Sequence, residues 1–247
     1  MTEEFRSWRL PAAAPPFDEL LASVRFDEVT KGRRGGVLVK EADSGGVPIV
    51  RSTTSYRASA RPFLPIHDRL AQQICESGLL PPPFNNALVE HYTNAYATMK
   101  RHSDQAQDLA DGSLIAVYSC YRAPERPSRR LLVQPKESGS GFEVPLDHGC
   151  VVLFSLESNR RFTHAISLRT SAPDNEWFGI TFRTSKTLLR FVDGHPTLPS
   201  GARLTLASED QRRELFQMRR RENQETRFVY PSLSYTLSES DLLPPAP

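Results

Sequence analysis

Between residues 87 and 185 the chain breaks into eight short β-rich runs separated by turn residues, a rhythm few folds accept. The runs are "ALVEHYTNAY", "TMKRHSD", "SLIAVYSCYR" (113–122), "RRLLVQPK" (129–136), "GFEVPL" (141–146), "CVVLFSL" (150–156), "FTHAISL" (162–168) and "WFGITFRTS" (177–185). β-Branched and aromatic side chains fill them because they pack well on a pleated surface. Turn-forming stretches such as "ESGSG", "LDHG" and "SAPDNE" lie between. Strands so short and so close leave no room for crossover helices. They predict a mainly β sandwich or barrel, with helices only at its flanks.

The flanks read differently. A proline-rich entry, "LPAAAPPFDELLASV", holds one short helix candidate, and "KGRRGGVLVKEADSGG" reads as a hairpin or loop. "VPIVRSTTSY" (47–56) reads as a strand. In "PIHDRLAQQICESG" (65–78), Ile66, Leu70 and Ile74 recur at helical spacing and Gly78 supplies the stop. "LLPPPFNN" (79–86) then forms a rigid proline segment. A second helix is predicted at 208–223, capped by Ser208 and free of Gly and Pro, followed by a frayed tail. The expected organisation is an N-terminal extension with lid elements (1–60), a β core (61–192) and a C-terminal helical extension (193–247).

Composition narrows the setting. With 31 basic and 29 acidic residues, bulk charge announces no polyanionic partner. Arginines do bunch in "YRAPERPSRR" (121–130), "NRR" (159–161) and "MRRREN" (218–223), each either a local basic face or ordinary solvated surface. Three cysteines without a C-x-x-C pair suit a reducing compartment. The start, "MTEEFRSWRLP", has no apolar h-region, and no apolar run approaches a membrane span. The expectation is a soluble intracellular protein, cytoplasmic or nuclear, with no membrane partner; no pattern sets an oligomeric state.

Chemistry concentrates in "RHSD". On a strand, His102 and Asp104 point to one face and Ser103 to the other, so the two side chains can grip one ion. The competing reading is a polar turn, since Asp after Ser also suits a cap or reversal. A third ligand must come from a neighbouring strand, and His164 in "RRFTHAISL" lies among apolar residues of a β-rich run. Two histidines and one carboxylate make the facial triad of non-haem Fe(II) oxygenases, leaving open positions for co-substrate and dioxygen. Arg183, nineteen residues after His164, sits in an apolar strand, where it either snorkels to an edge or pairs with an anion.

In order, the pieces "FNNALVEHYTNAYATMKRHSDQA", "SLIAVYSCY", "DHGCVVLFSLESNRRFTHAI" and "GITFRTS" resemble the AlkB-like branch of the Fe(II)/2-oxoglutarate dioxygenases, over residues 84–186. The resemblance implies a double-stranded β-helix (jelly-roll) core. It also implies Fe(II) on His102, Asp104 and His164, with 2-oxoglutarate and O2 as co-substrates. Arg183 would anchor the co-substrate carboxylate. Tyr92 either hydrogen-bonds the co-substrate or packs as an ordinary strand aromatic. The family's Asn two residues before that Tyr is Glu90 here, with Asn94 or Tyr96 as substitutes if the register differs. The family's first strand Arg, six residues before Arg183, is Trp177, and Gly179 stands where Asn is common. Arg183 would then carry more of the anchoring, or Arg161 or Arg169 would reach in. The remaining histidines, His67, His148 and His195, read as capping, turn or surface groups, and His91 as facing either the site or solvent.

The resemblance implies C–H hydroxylation coupled to decarboxylation of 2-oxoglutarate to succinate. One form is oxidative demethylation of an alkylated nucleobase, with nucleic acid held by the arginine-rich loops. The alternatives are hydroxylation of a small metabolite, free nucleoside or protein side chain, and a non-catalytic jelly-roll binding module.

Overall fold

A computed structural model describes residues 4–78, 84–170 and 172–246. In chain order the elements begin with β1 (Phe5–Arg9), α1 (Phe17–Ala22), β2 (Asp27–Thr30), β3 (Arg33–Val39), β4 (Val47–Pro48), β5 (Arg61–Pro62) and α2 (Pro65–Gly78). They continue with β6 (Asn86–Tyr92), β7 (Leu114–Tyr121), β8 (Arg129–Pro135), β9 (Phe142–Pro145), β10 (Cys150–Ser155) and α3 (Leu156–Arg161). Then come β11 (Phe162–Leu168), β12 (Trp177–Arg183), β13 (Leu188–Val192), β14 (His195–Thr197), β15 (Thr205–Leu206), α4 (Glu209–Glu222) and β16 (Tyr235–Thr236).

Two sheets face each other as a jelly roll. The large one runs β1-β10-β7-β12-β6-β3-β2, with β5 beside β3, and the small one runs β11-β8-β9. Strand alternation sorts the side chains between two cores. Val117, Tyr121, Val152, Phe154, Tyr92 and Trp177 of the large sheet meet Leu131, Val133, Val144 and Ile166 of the small one. The opposite phase, including Val89, Tyr118, Leu153, Phe178 and Ile180, packs on Leu20 of α1 and on Ile66, Leu70 and Ile74 of α2. The helical spacing of those α2 residues is thus spent on the back of the sheet.

Several expectations shift. β1, in a segment expected only to lack a leader, pairs along β10 with Phe5 opposite Phe154. β3 pairs along β6 over seven positions, so residues within 1–60 complete the large sheet. The glycine-rich segment 31–46, expected as a hairpin or loop, supplies one strand, β3, and a following loop; the hairpin is completed by β2, which precedes the segment. Of the strand expected at 47–56 only Val47–Pro48 pairs, against β13. Residues after it leave the sheet to wall a cavity. The strand expected at 98–104 keeps two isolated bridges to β11, Thr98 with Ser167 and His102 with His164. The proline segment falls partly on 79–83, outside the described residues. Ser208 caps α4 through a reciprocal capping box with Gln211. Among the described residues, no helix is long and apolar enough to cross a membrane.

Candidate metal centre

The interrupted strand and β11 bring the two histidines face to face. His102 and His164 exchange both backbone hydrogen bonds, at 2.9 and 2.7 Å, and their ring centroids lie 4.6 Å apart. Asp104 follows at the strand end. Its Oδ1 is 3.5 Å from His164 Nε2 and 3.7 Å from His102 Nε2. One donor atom from each of the three falls within 4.8 Å of the others, the sole such grouping of His, Cys, Asp and Glu among the described residues. The His102 Nδ1 N–H donates to Lys100 O at 2.8 Å, which fixes the tautomer and leaves the Nε2 lone pair toward Asp104.

Burial and neighbours set the charges. Burial, then the His164 ring, pushes His102 down to about 3, so it is a neutral ligand at physiological pH. Burial alone would raise the Asp104 carboxyl, but the His164 hydrogen bond and the Arg183 guanidinium hold it well below the usual range. Arg183 Nη1 lies 3.6 Å from Asp104 Oδ2, and both side chains are nearly buried. Asp104 Oδ2 and His164 Nδ1 have no hydrogen-bond partner. Two neutral-capable imidazoles and a carboxylate with a free buried oxygen suit a divalent transition metal.

The short loop carrying Asp104 is clamped from both sides. Asn159 on α3 accepts the Asp104 N–H and donates to its carbonyl, both at 2.8 Å. From the C-terminal helix, Asn223 Oδ1 accepts the Ser103 N–H at 2.8 Å and Glu222 accepts the Ala106 N–H at 2.8 Å. Arg219 donates to Ser103 O at 2.7 Å and pairs with Glu222. Ser103 Oγ donates to Phe162 O at 2.8 Å, so this residue ties the loop to β11 rather than merely spacing two ligands. The run "MRRREN", open as solvated surface, therefore buries Met218, Arg219 and Glu222.

A cavity of about 360 Å³ opens onto His102 and Asp104, with His164 buried beside them. Arg51, Thr54 and Tyr56 form one wall, Leu88 and Glu90 of β6 another, and Arg183 and Arg219 lie deeper. Glu90, in the expected asparagine position, is held by Arg33 through two hydrogen bonds of 2.6 and 2.8 Å. Tyr92 shares the inward phase of β6 with Leu88 and Glu90 but is sealed in the core, its ring 4.9 Å from that of Trp177. Asn94 turns away and donates to Pro173 O at 3.0 Å. Neither lines the cavity. Arg161 and Arg169 do not reach in either; Arg161 pairs with Glu4 at the surface and Arg169 is exposed. Of the arginines in the 121–130 run, Arg122 pairs with Asp18 and Glu176 and Arg126 with Glu125, neither lining the cavity, while Arg129 opens β8 and is buried.

His91 faces the outer layer, between Phe17 and Phe26, bonded to Glu176 at 2.8 Å. His67 is fully buried, not a surface cap: its Nδ1 accepts the Leu64 N–H and its Nε2 meets Ser23 Oγ. His148 accepts the Tyr121 N–H in its turn, and His195 is exposed beside Arg203.

Comparison with known proteins agrees with this geometry. The model of the 2OG-Fe(II) oxygenase superfamily matches residues 36–207. DNA oxidative demethylase ALKBH2 of Homo sapiens is 25 % identical over 149 residues, covering 56 % of this chain and 53 % of the relative. Its Mus musculus counterpart is 23 % identical over 145 residues, covering 56 % of this chain and 58 % of the relative. The chain thus spans about half the length of the curated relatives it matches. A solved structure titled "The structure of OsALKBH1" superposes with a TM-score of 0.53 at 14 % identity, covering 74 % of this chain and 99 % of that one. At that identity the likeness speaks for the fold alone.

Proposed function

The chain belongs to the 2OG-Fe(II) oxygenase superfamily, and from that premise we propose that it is an oxidative demethylase of alkylated nucleobases. The class of enzyme is a dioxygenase using Fe(II), 2-oxoglutarate and O2. His102, Asp104 and His164 would hold the metal. When bound, the metal and 2-oxoglutarate supply the oxidant: one oxygen atom ends in succinate, the other enters a substrate C–H bond, and CO2 leaves. An N-methyl group hydroxylated in this way releases formaldehyde and the free base.

The protein's own work is placement. Arg183 keeps Asp104 ionised, and the Lys100 carbonyl keeps His102 in the tautomer that presents Nε2. The wall at 51–56, within the expected lid region, encloses the substrate and excludes water. The unit at 61–192 would be the catalytic core, with 1–60 as lid and sheet edge and 193–247 as the brace for the Asp104 loop.

The observation that carries the nucleic-acid reading is the basic rim. Lys100 and Arg101 border the cavity and Arg220 borders the adjoining groove, which His102 also lines. All three are exposed, and among the described residues none pairs with a carboxylate. Free cations flanking a metal centre suit phosphates on either side of an extruded base. The names of the curated relatives support the same substrate class.

Methylated oligonucleotides incubated with Fe(II), 2-oxoglutarate and O2 should yield formaldehyde and succinate in equal amounts, and His102→Ala should yield neither. Succinate without formaldehyde from any methylated oligonucleotide would leave a dioxygenase acting on another substrate.

A further inference from the structure

Behind the cavity wall lies a group of buried donors with no acceptor. Tyr96 lines the cavity, and its ring lies 4.8 Å from that of Tyr92, tilted at 58°. Tyr92 in turn sits opposite Trp177 in the β6–β12 register. Over the Tyr92 ring, 4.9 Å from its centroid, lies the Arg129 guanidinium. Tyr92 is 0 % exposed, and Arg129 and Trp177 are 1 % exposed. Nη2 of Arg129 donates to Thr93 O and Tyr96 O at 2.8 and 2.9 Å. Its Nε and Nη1, the Tyr92 hydroxyl and the Trp177 Nε1 have no partner.

Such a set is costly by itself. An unpaired buried donor carries its desolvation penalty uncompensated, and a buried guanidinium more so. Among the described residues no carboxylate pairs with Arg129, so the protein leaves this charge for something else to neutralise. Aromatic faces attract the cation but satisfy none of its N–H groups. Every free group here is an N–H or O–H, and donors of one kind around a fixed positive charge describe a carboxylate receptor.

Strand register puts this group and the metal residues on one inward row. Arg129, Leu131 and Val133 share the inward phase of β8, and Val133 pairs with His164 on β11. Arg129 is four residues from that row, about 13 Å along the strand. An extended arginine side chain and a five-carbon diacid together bridge such a span. Trp177 occupies the position where related enzymes keep a strand arginine, and its ring fills the space above Gly179. The charge absent from position 177 is thus supplied across the barrel by Arg129 of β8.

We propose that Arg129, with the Tyr92 hydroxyl and the Trp177 indole N–H, binds the distal carboxylate of 2-oxoglutarate. The assignment rests on the dioxygenase reading above. It makes Arg129 a co-substrate-binding residue that selects a dicarboxylic keto acid.

The test compares 2-oxoglutarate with 2-oxobutyrate, which keeps the keto-acid end and lacks the distal carboxylate. Anaerobic calorimetry on the Fe(II)-loaded protein should show 2-oxoglutarate binding about 10- to 100-fold more tightly, the range of a charge-assisted hydrogen bond. Arg129→Gln should abolish that preference while leaving 2-oxobutyrate affinity unchanged, and Arg129→Lys should keep part of it. An undiminished preference in a folded Arg129→Gln protein overturns the assignment and leaves the dioxygenase reading intact. Failure of the wild type to bind either keto acid overturns both.

A second measurement needs no change at Arg129. The chain has two tryptophans, and Trp8→Phe removes the one bonded to Ser77 outside the barrel. In that background 2-oxoglutarate, but not 2-oxobutyrate, should shift Trp177 fluorescence. Binding of both without a differential shift overturns the assignment.

Discussion

Asn223 accepts the backbone N–H of Ser103 at 2.8 Å, joining the last turn of the C-terminal helix to the residue between two metal-ligand candidates. The contact spans 120 residues of sequence and fixes the peptide that aims His102 and Asp104. Groups that orient ligands this way typically contribute 10- to 100-fold to metal affinity. Asn223→Ala should therefore weaken Fe(II) binding by about tenfold with little change in melting temperature, measured by anaerobic metal titration. Unchanged affinity would reduce the helix to packing.

Removing a ligand is more severe. His164→Ala or Asp104→Ala should abolish stoichiometric Fe(II) binding and, with it, succinate formation. Asp104→Ala also leaves Arg183 buried without its 3.6 Å partner, so it should lower stability, whereas His164→Ala should not to the same degree. Denaturant melts of the two variants without metal separate the effects.

Gly179 is where the core has least tolerance. A Cβ there would lie 2.1 Å from the Trp177 ring, which is fully buried. Gly179→Ala should destabilise by about 2–3 kcal/mol, as overpacking of a filled core does, read from the denaturant midpoint. It should also displace Trp177 and loosen 2-oxoglutarate binding.

Acid should act through His67. Burial holds this imidazole down to about 4 against an ordinary 6.5, because its ring nitrogens serve Leu64 and Ser23. A depressed folded value means the stabilising effect is complete above about pH 6.5. It is lost progressively as pH falls toward 4, up to about 3 kcal/mol. Denaturant midpoints measured from pH 7 to pH 4 should fall accordingly, and His67→Gln should flatten the dependence.

The basic rim has a salt signature. Three phosphate contacts to a single strand give a slope of log K against log salt near −2, and each lost cation reduces it by about 0.7. Lys100→Ala, Arg101→Ala and Arg220→Ala should each do so in oligonucleotide binding. A slope that none of them changes would remove the rim from substrate binding.

The fold and the candidate metal ligands are legible because both depend on local pattern. Period-two alternation exposed the strands, and His102, Asp104 and His164 declared themselves by residue type within them. The brace was not legible: nothing near Asn223 or Glu222 marks them as partners of a loop more than a hundred residues earlier. Arg129 lay between these cases. It falls in the arginine run 121–130, yet it stands in phase with Leu131 and Val133. A charge on the apolar phase of a strand was the available signal. Tyr92 illustrates the opposite limit, since its inward phase was readable but its separation from the cavity by Tyr96 depends on loop geometry.

The clamp on the Asp104 loop also orders events during synthesis. Both sheets, with β11 and β12 in place, can be hydrogen-bonded before residues 219–223 leave the ribosome, but Ser103 and Ala106 then still lack their acceptors. A jelly roll at that stage holds the three residues through β11 and Asn159 alone, without the second side of the clamp. A metal held by these residues would therefore meet a fully braced loop only once the helix has arrived, so residues 219–223 complete the setting of a site more than a hundred positions earlier.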